Sequence, residues 1–295
     1  MFLDANGPAA LCAAFQQPPS VQAPFRTNPA HQPALEIIVE KYRLRQDMVK
    51  ARTKLILQGM AALRRVFGGD KELASKAFDE AAKDEDHPHR MFVEPYLAAL
   101  DILDRQQVAY EKDLVKAAKM LPIFSWVRDI KGLGDLGFAC IVGECSGNRN
   151  DTGEFYSVGD FKSVSAVWKR MGLAVIGGER QRKKSGDDAI IHGYSPGRRS
   201  VMWNVGNSLI LGMGKFRPLF GEDIEANDEY TYFQKVFATR ARYEAERLPH
   251  KTGETIKESK TGKDSYTAHA AARAKRYTEK RLLRCLFSEW RRCMG

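Results

Sequence analysis

Apolar residues recur at helical spacing along residues 34–67. Ile38, Tyr42, Val49, Ile56 and Leu63 fall on one face, with no proline and no early glycine. That predicts a long helix, ended by Gly68-Gly69, because glycine accepts the positive φ of a helix C-terminus. A charged, alanine-rich stretch over 70–90 follows, broken at His87-Pro88-His89. The next pattern is stricter. Leu100, Leu103, Gln107, Tyr110, Leu114, Ala117 and Leu121 advance in alternating steps of three and four, an a/d heptad seam that needs a partner helix. The partner is either the 34–67 helix folded back or the same helix of another subunit.

Pro122 stops the seam. Beyond it, glycine-punctuated segments predict several short helices, few strands and a final basic helix over 265–292. Six prolines make residues 1–33 mostly irregular, with a short helix over 9–16. The fold class expected is mainly α: a long helical coiled-coil hairpin, then a compact helical domain containing a helix-hairpin-helix element. The boundaries expected are a proline-rich segment 1–33, a coiled-coil region 34–121, a helix-hairpin-helix domain 122–220 and a basic helical extension 221–295, with a linker or loop over 248–264.

Composition narrows the classes. The chain has 295 residues, 43% hydrophobic and 28% charged, enough for a sizeable core. Its longest apolar runs, such as 139–142 and 209–211, are far short of the ~20 residues of a membrane span, and the N-terminus lacks an export-signal pattern, so no membrane partner is expected. The five cysteines (12, 140, 145, 285 and 293) are odd in number and form no C-x-x-C pair, which argues against a disulfide framework or a thiolate zinc site and for a reducing cytoplasm. The net charge of +10 is unevenly spread. Residues 162–217 carry 11 basic and 3 acidic side chains, and residues 240–295 carry 15 and 7, while the remainder is slightly acidic. Two basic blocks on a near-neutral body suggest a polyanionic partner, because each phosphate contact releases condensed counterions. DNA is the partner expected, with structured RNA as a second polyanion.

The stretch Ile130-Lys131-Gly132-Leu133-Gly134-Asp135-Leu136-Gly137 admits two readings. Gly132, Gly134 and Gly137 satisfy the G-x-G-x-x-G dinucleotide fingerprint, with 123–127 as its strand and Glu154 as its ribose acid. Alternatively, Gly132-Leu133-Gly134 is the turn of a helix-hairpin-helix, whose free backbone N–H groups bind a DNA phosphate without reading sequence. The helical, basic surroundings favour the second, with Lys131, Gly132 and Gly134 as nucleic-acid contacts.

The densest chemical signal is Gly177-Gly178-Glu179-Arg180-Gln181-Arg182-Lys183-Lys184-Ser185-Gly186. Four cations before a serine can hold a scissile phosphate for attack on phosphorus. A solvated basic loop accounts for the same residues. Further on, Arg198 and Arg199 follow Ser195-Pro196-Gly197 at the start of an apolar helix, a useful place for phosphate with no evident structural purpose. The six histidines are scattered, so Ser/His/Asp catalysis finds no support.

Taken in order, these pieces resemble the insertion-sequence transposases of the DEDD type, a group that includes the Piv-like DNA invertases and the bridge-RNA-guided recombinases. Residues 42–56 look like the family's basic helix before its coiled coil. Residues 130–144 look like the hairpin opening its transposase domain, and Gly159-Asp160-Phe161-Lys162-Ser163, continuing to Gly172-Leu173, like the next element. The Ser185-Gly186 loop followed by Pro196-Gly197-Arg198-Arg199 and an apolar helix completes the pattern. The resemblance covers most of the chain and is loosest after residue 221.

It implies a bacterial, cytoplasmic protein that acts on DNA, forms a homo-oligomer through the coiled coil and in some relatives uses a guide RNA. It also implies an N-terminal RNase H-like domain holding Mg2+ through four acids, and Ser185 as the nucleophile transiently esterified to DNA, with Arg180, Arg182, Lys183 and Lys184 around the phosphate. The chain departs from the family in its first residues. Residues 4–12 look like the end of the RNase H-like domain, where the family has two aspartates three residues apart; Asp4 matches the first and Gly7 stands at the second. Asp4 is thus the one catalytic acid carried over, no complete metal-ligand set is expected, and the expectation is an N-terminally truncated transposase that is inactive alone.

Overall fold

The computed structural model describes residues 25–149, 151–211, 230–247, 256–258, 264–266 and 268–295. It is mainly helical, as the periodicity predicts. The helices are α1 (Gln32–Val66), α2 (Lys71–Ala81), α3 (Arg90–Lys119), α4 (Phe124–Arg128), α5 (Asp135–Cys145), α6 (Val164–Arg170), α7 (Asp187–His192), α8 (Pro196–Leu211), α9 (Tyr232–Arg247) and α10 (Ala268–Cys293). Three antiparallel two-stranded ladders join them: β1 (Gly147–Asn148) with β2 (Phe155–Tyr156), β3 (Val175–Ile176) with β4 (Glu179–Arg180), and β5 (Ile256–Glu258) with β6 (Asp264–Tyr266). The chain divides into two compact units, Ile37–Lys116 and the remainder.

The Ile37–Lys116 unit is a helical hairpin. Arg45 Nε lies 2.7 Å from Glu111 Oε1 and Arg52 Nε lies 2.5 Å from Asp104 Oδ1, so α1 and α3 run antiparallel. The heptad seam therefore has its partner within the chain, with Leu100 and Leu114 buried and Leu103, Gln107 and Tyr110 half-buried. Gly68 and Gly69 take φ of +58° and +98° and end α1 where the pattern stops. Asp70 then caps α2, accepting from the backbone N–H groups of Glu72 and Leu73 at 2.8 and 3.0 Å. The head of the hairpin is sealed by Leu63, Phe78, Ala81, Val93 and Leu100.

The second unit is organised around one apolar helix, α5, and one amphipathic basic helix, α10. Nearly every face of α5 is buried (Phe138, Ala139, Ile141, Val142 and Cys145), which places it inside the unit. The other, α10, buries Ala274, Thr278, Leu282, Leu283, Leu286 and Trp290, and packs against α6, α8 and α9. The C-terminal helix, expected within an extension over 221–295, is thus part of the same core as residues 122–220. Its end is tied to the N-terminal segment. Asn28 N–H donates to the Met294 carbonyl at 2.8 Å, Thr27 N–H donates to Asp160 Oδ1 at 3.0 Å, and Arg291 donates to the carbonyls of Gly159 and Phe161 at 3.0 and 2.9 Å. Asp160 and Ser163 of the family-like stretch have structural duties, Asp160 closing a capping box with Ser157 and Ser163 capping α6. Cys140, Cys145 and Cys293 form no disulfide, whereas Cys285 is disulfide-bonded, although the cysteine spacing argued against a disulfide framework. Among the described residues no helix is long and apolar enough to cross a membrane.

The glycine motif is a turn between helices. Residues 124–128 form α4 rather than the strand a dinucleotide fold requires, and that reading is overturned. Gly132, at φ +93°, lies so close to α8 that a Cβ there would stand 2.7 Å from the Ser208 carbonyl oxygen and 2.9 Å from Leu209 Cα. No pyrophosphate fits between them. We predict that Gly132→Ala costs about 2–4 kcal/mol, combining a disfavoured φ with a backbone clash. Denaturant unfolding checks this, and a loss under about 0.5 kcal/mol, the level of a neutral surface change, contradicts it.

Candidate anion-binding site

Residues from four segments enclose a cavity of about 140 Å³ in the second unit. It is lined by Gly172, Leu173 and Ala174 after α6, Arg180, Gln181 and Arg182 around β4, Tyr194 and Arg199 at the start of α8, and Arg276 on α10. Four guanidinium groups thus meet in one concavity.

Gln181 builds the wall. It is 5% exposed, and its Oε1 accepts the Ala174 N–H at 3.1 Å. Its Nε2 donates to the carbonyls of Lys169 and His192 at 3.0 and 2.5 Å, which ties β4 to the ends of α6 and α7. Gly172, at φ +74°, lets this wall approach α8, since a Cβ there would lie 3.3 Å from Arg199 Cβ and 3.4 Å from the Tyr194 ring.

The floor is the crossing of α8 and α10. Glu279 is fully buried there, its carboxylate filling the space a Cβ on Gly206 would occupy. Arg199 Nη1 lies 2.9 Å from Glu279 Oε2. Beside it the Lys275 ammonium stands over the Trp203 ring and donates to Asn207 Oδ1 at 2.5 Å. Burial pushes the Glu279 carboxyl up to about 7, outweighing the attraction of Arg199, Lys275 and Arg276. Burial likewise brings Lys275 down to about 8, with Glu279 opposing the change. Arg276 is lowered first by burial and then by the like charges of Arg199 and Arg180. The cluster is crowded with cations and contains one buried acid.

The basic serine loop contributes selectively. Arg180 and Arg182 line the cavity, whereas Lys183 and Ser185 are exposed on the segment leading to α7. Arg182 and Lys184 share Glu179, at 2.9 and 3.5 Å, and hold its carboxyl below the usual range. Arg198 and Arg199 both have structural partners, contrary to the expectation that they serve phosphate alone. Arg198 Nε donates to Glu144 Oε2 at 3.1 Å, and Arg199 meets Glu279. The hairpin residues stand apart from the cavity lining. Lys131 and Gly134 are exposed, and Gly132 is pressed on α8. Where a phosphate was expected, at the α5 N-terminus, Asp135 is present and pairs with Lys119 at 2.9 Å. Asp4 lies outside the described residues.

Mg2+ requires several converging carboxylates, and among the described residues no group of three or more His, Cys, Asp or Glu side chains could hold a metal ion. Burial raises the Cys145 thiol to about 12 and contributes most to raising Cys293 to about 11, so neither is a ready nucleophile. The sequence reading missed Tyr194, Lys275, Arg276 and Glu279. The available signal was the spacing of Lys275, Arg276 and Glu279, which puts a lone acid one turn from two cations in an alanine-rich basic helix. Comparison of the chain with protein-family models, curated proteins and solved structures gives no match in any of the three.

Two outcomes follow from this geometry. Gln181→Leu leaves the Lys169 and His192 carbonyls and the Ala174 N–H without their side-chain partner and is expected to cost about 2–4 kcal/mol in denaturant unfolding. Retention of full stability contradicts the role of Gln181 as the wall's anchor. For Glu279, the folded protein holds a proton between pH 4.5, the ordinary value, and about 7 that the unfolded chain has released. Its contribution to stability therefore falls as pH rises through that window, by on the order of 3 kcal/mol. Unfolding free energies at pH 5 and pH 8 should show this fall in the wild type and lose it in Glu279→Gln; equal slopes refute it.

Proposed function

We propose that the chain is a DNA-binding protein of the transposase and recombinase kind, and that it grips the phosphate backbone through its basic serine loop. The observation carrying this reading is the excess of cation at the surface around that cavity, where Arg180, Arg182 and Lys183 are exposed and Arg199 and Arg276 are half-buried. Arginine presents planar, always-charged donors that match phosphate oxygens, and a group of four has more cation than its own fold neutralises. Exposed Lys183 extends the same surface.

Ser185 is the nucleophile in this reading. It stands exposed three residues from Arg182, and attack by its Oγ on a backbone phosphorus would form the Oγ–P bond as a strand P–O bond breaks. Oligomers through the hairpin would use its outer faces, where Leu57, Ile102 and Val108 are exposed, since α1 already covers the seam. A guide RNA would bind the same basic surfaces.

Binding should weaken steeply with salt, and the log–log slope should fall by about two when Arg180 and Arg182 are both replaced by alanine. Fluorescence anisotropy with a duplex across a salt series checks this, and a slope unchanged by the double substitution overturns the interface. Ser185→Ala should leave affinity unchanged and abolish covalent attachment to DNA when the metal domain is supplied in trans. An adduct that survives in Ser185→Ala removes the serine from the chemistry.

A further inference from the structure

We propose that the arginine cavity is a receptor for a single phosphomonoester dianion, selecting a terminal phosphate over an internal phosphodiester. The proposal rests on the nucleic-acid reading only for the source of the phosphate. The chemistry of recognition stands on the cavity itself.

Size comes first. At about 140 Å³ the cavity is well below the roughly 300–1,000 Å³ of clefts that hold a base or a drug-sized ligand. It has room for a phosphoryl group and not for a nucleoside. Charge comes second. The lining presents four guanidinium groups, and the carboxylates paired with them are Glu279 under Arg199 and Glu179 beside Arg182. Two positive charges remain, and Lys184, sharing Glu179, only adds to that excess. A terminal phosphate carries about −1.5 to −2 at neutral pH and three free oxygens, whereas an internal phosphodiester carries −1 and two. That excess of positive charge favours the more highly charged monoester over a diester.

Geometry comes third. The four arginines come from three separated parts of the chain: Arg180 and Arg182 on the β4 wall, Arg199 from the first turn of α8, and Arg276 from α10. They bring donors to the cavity from three separate elements, an arrangement that suits the three free oxygens of a terminal phosphate. An internal phosphate needs two exits for its ester oxygens. The wall is also fixed in advance. Gln181 pins the backbone between Arg180 and Arg182, and Glu279 holds Arg199, which lowers the ordering cost of binding.

The test uses the full chain and two kinds of probe. Inorganic phosphate should raise the thermal midpoint in a saturable manner at constant ionic strength, and chloride should not. Arg276→Gln should weaken this response about tenfold or more, as loss of a charge-assisted contact to phosphate does. Arg180→Gln, on the exposed β4 strand, should do the same without bearing on the core. In the second arm, a single-stranded oligonucleotide with a 5′-phosphate should bind about tenfold tighter than its 5′-hydroxyl form. Either arginine substitution should erase that difference.

The outcomes separate the two readings. If oligonucleotides bind with a steep salt dependence but the 5′-phosphate and inorganic phosphate have no effect, the receptor is refuted while the DNA-binding reading stands. Saturable stabilisation by phosphate without binding of either oligonucleotide supports the receptor, identifies its source as a free or small-molecule phosphate, and refutes the nucleic-acid reading. A phosphate response equal in wild type, Arg276→Gln and Arg180→Gln refutes the receptor outright.

Discussion

Glu279 is buried where α8 crosses α10, against Gly206 and within reach of Arg199, and the second unit is arranged around that contact. A buried carboxylate is costly unless cations surround it. Here Arg199, Lys275 and Arg276 do so, and the cost that remains appears as a carboxyl raised to about 7. The same contact fixes Arg199 at the start of α8 and keeps α10 close enough for Arg276 to reach the cavity. A single acid thereby positions two of the four guanidinium groups, and Gln181 positions the other two from the opposite wall.

One acid cannot neutralise that many cations. The like charges of Arg199 and Arg180 bear on Arg276, which shows the crowding directly. Folded proteins tolerate an excess of buried or half-buried positive charge when something else relieves it, and an anionic ligand is the simplest relief. The basic blocks at 162–217 and 240–295, far apart in sequence, meet in this place because α10 packs on α8. Charge patterning along the chain is thus converted by one helix crossing into a local concentration of positive potential.

The elements were largely legible in the sequence, because they rest on local signals. The seam from Leu100 to Leu121 marks α3, Gly68-Gly69 and Pro122 close their helices, and two glycines at 132 and 134 make the turn into α5. The seam's partner was not legible, since a heptad says only that a helix is needed and not whose; Arg45–Glu111 and Arg52–Asp104 supply that answer. The site was half legible. Arg180 and Arg182 stood out as a dense run, and Arg199 by its place at a helix start. Arg276 and Glu279 lie more than 70 residues further on, and nothing local links them to the loop. Arg198 misled for the same reason, because its partner Glu144 is 54 residues away.

The most direct measurement of this account is a double-mutant cycle at the α8–α10 crossing, using Arg199→Met and Glu279→Leu with unfolding free energies at neutral pH. If the buried pair organises the unit, Glu279→Leu alone strands a cation, Arg199→Met alone leaves a buried acid without its ion-pair partner, and each costs about 3–5 kcal/mol. The double substitution, which leaves no charge of the pair behind, should recover most of that loss. Two small effects that simply add would show that Arg199 and Glu279 are neighbours without being coupled, and would contradict the account.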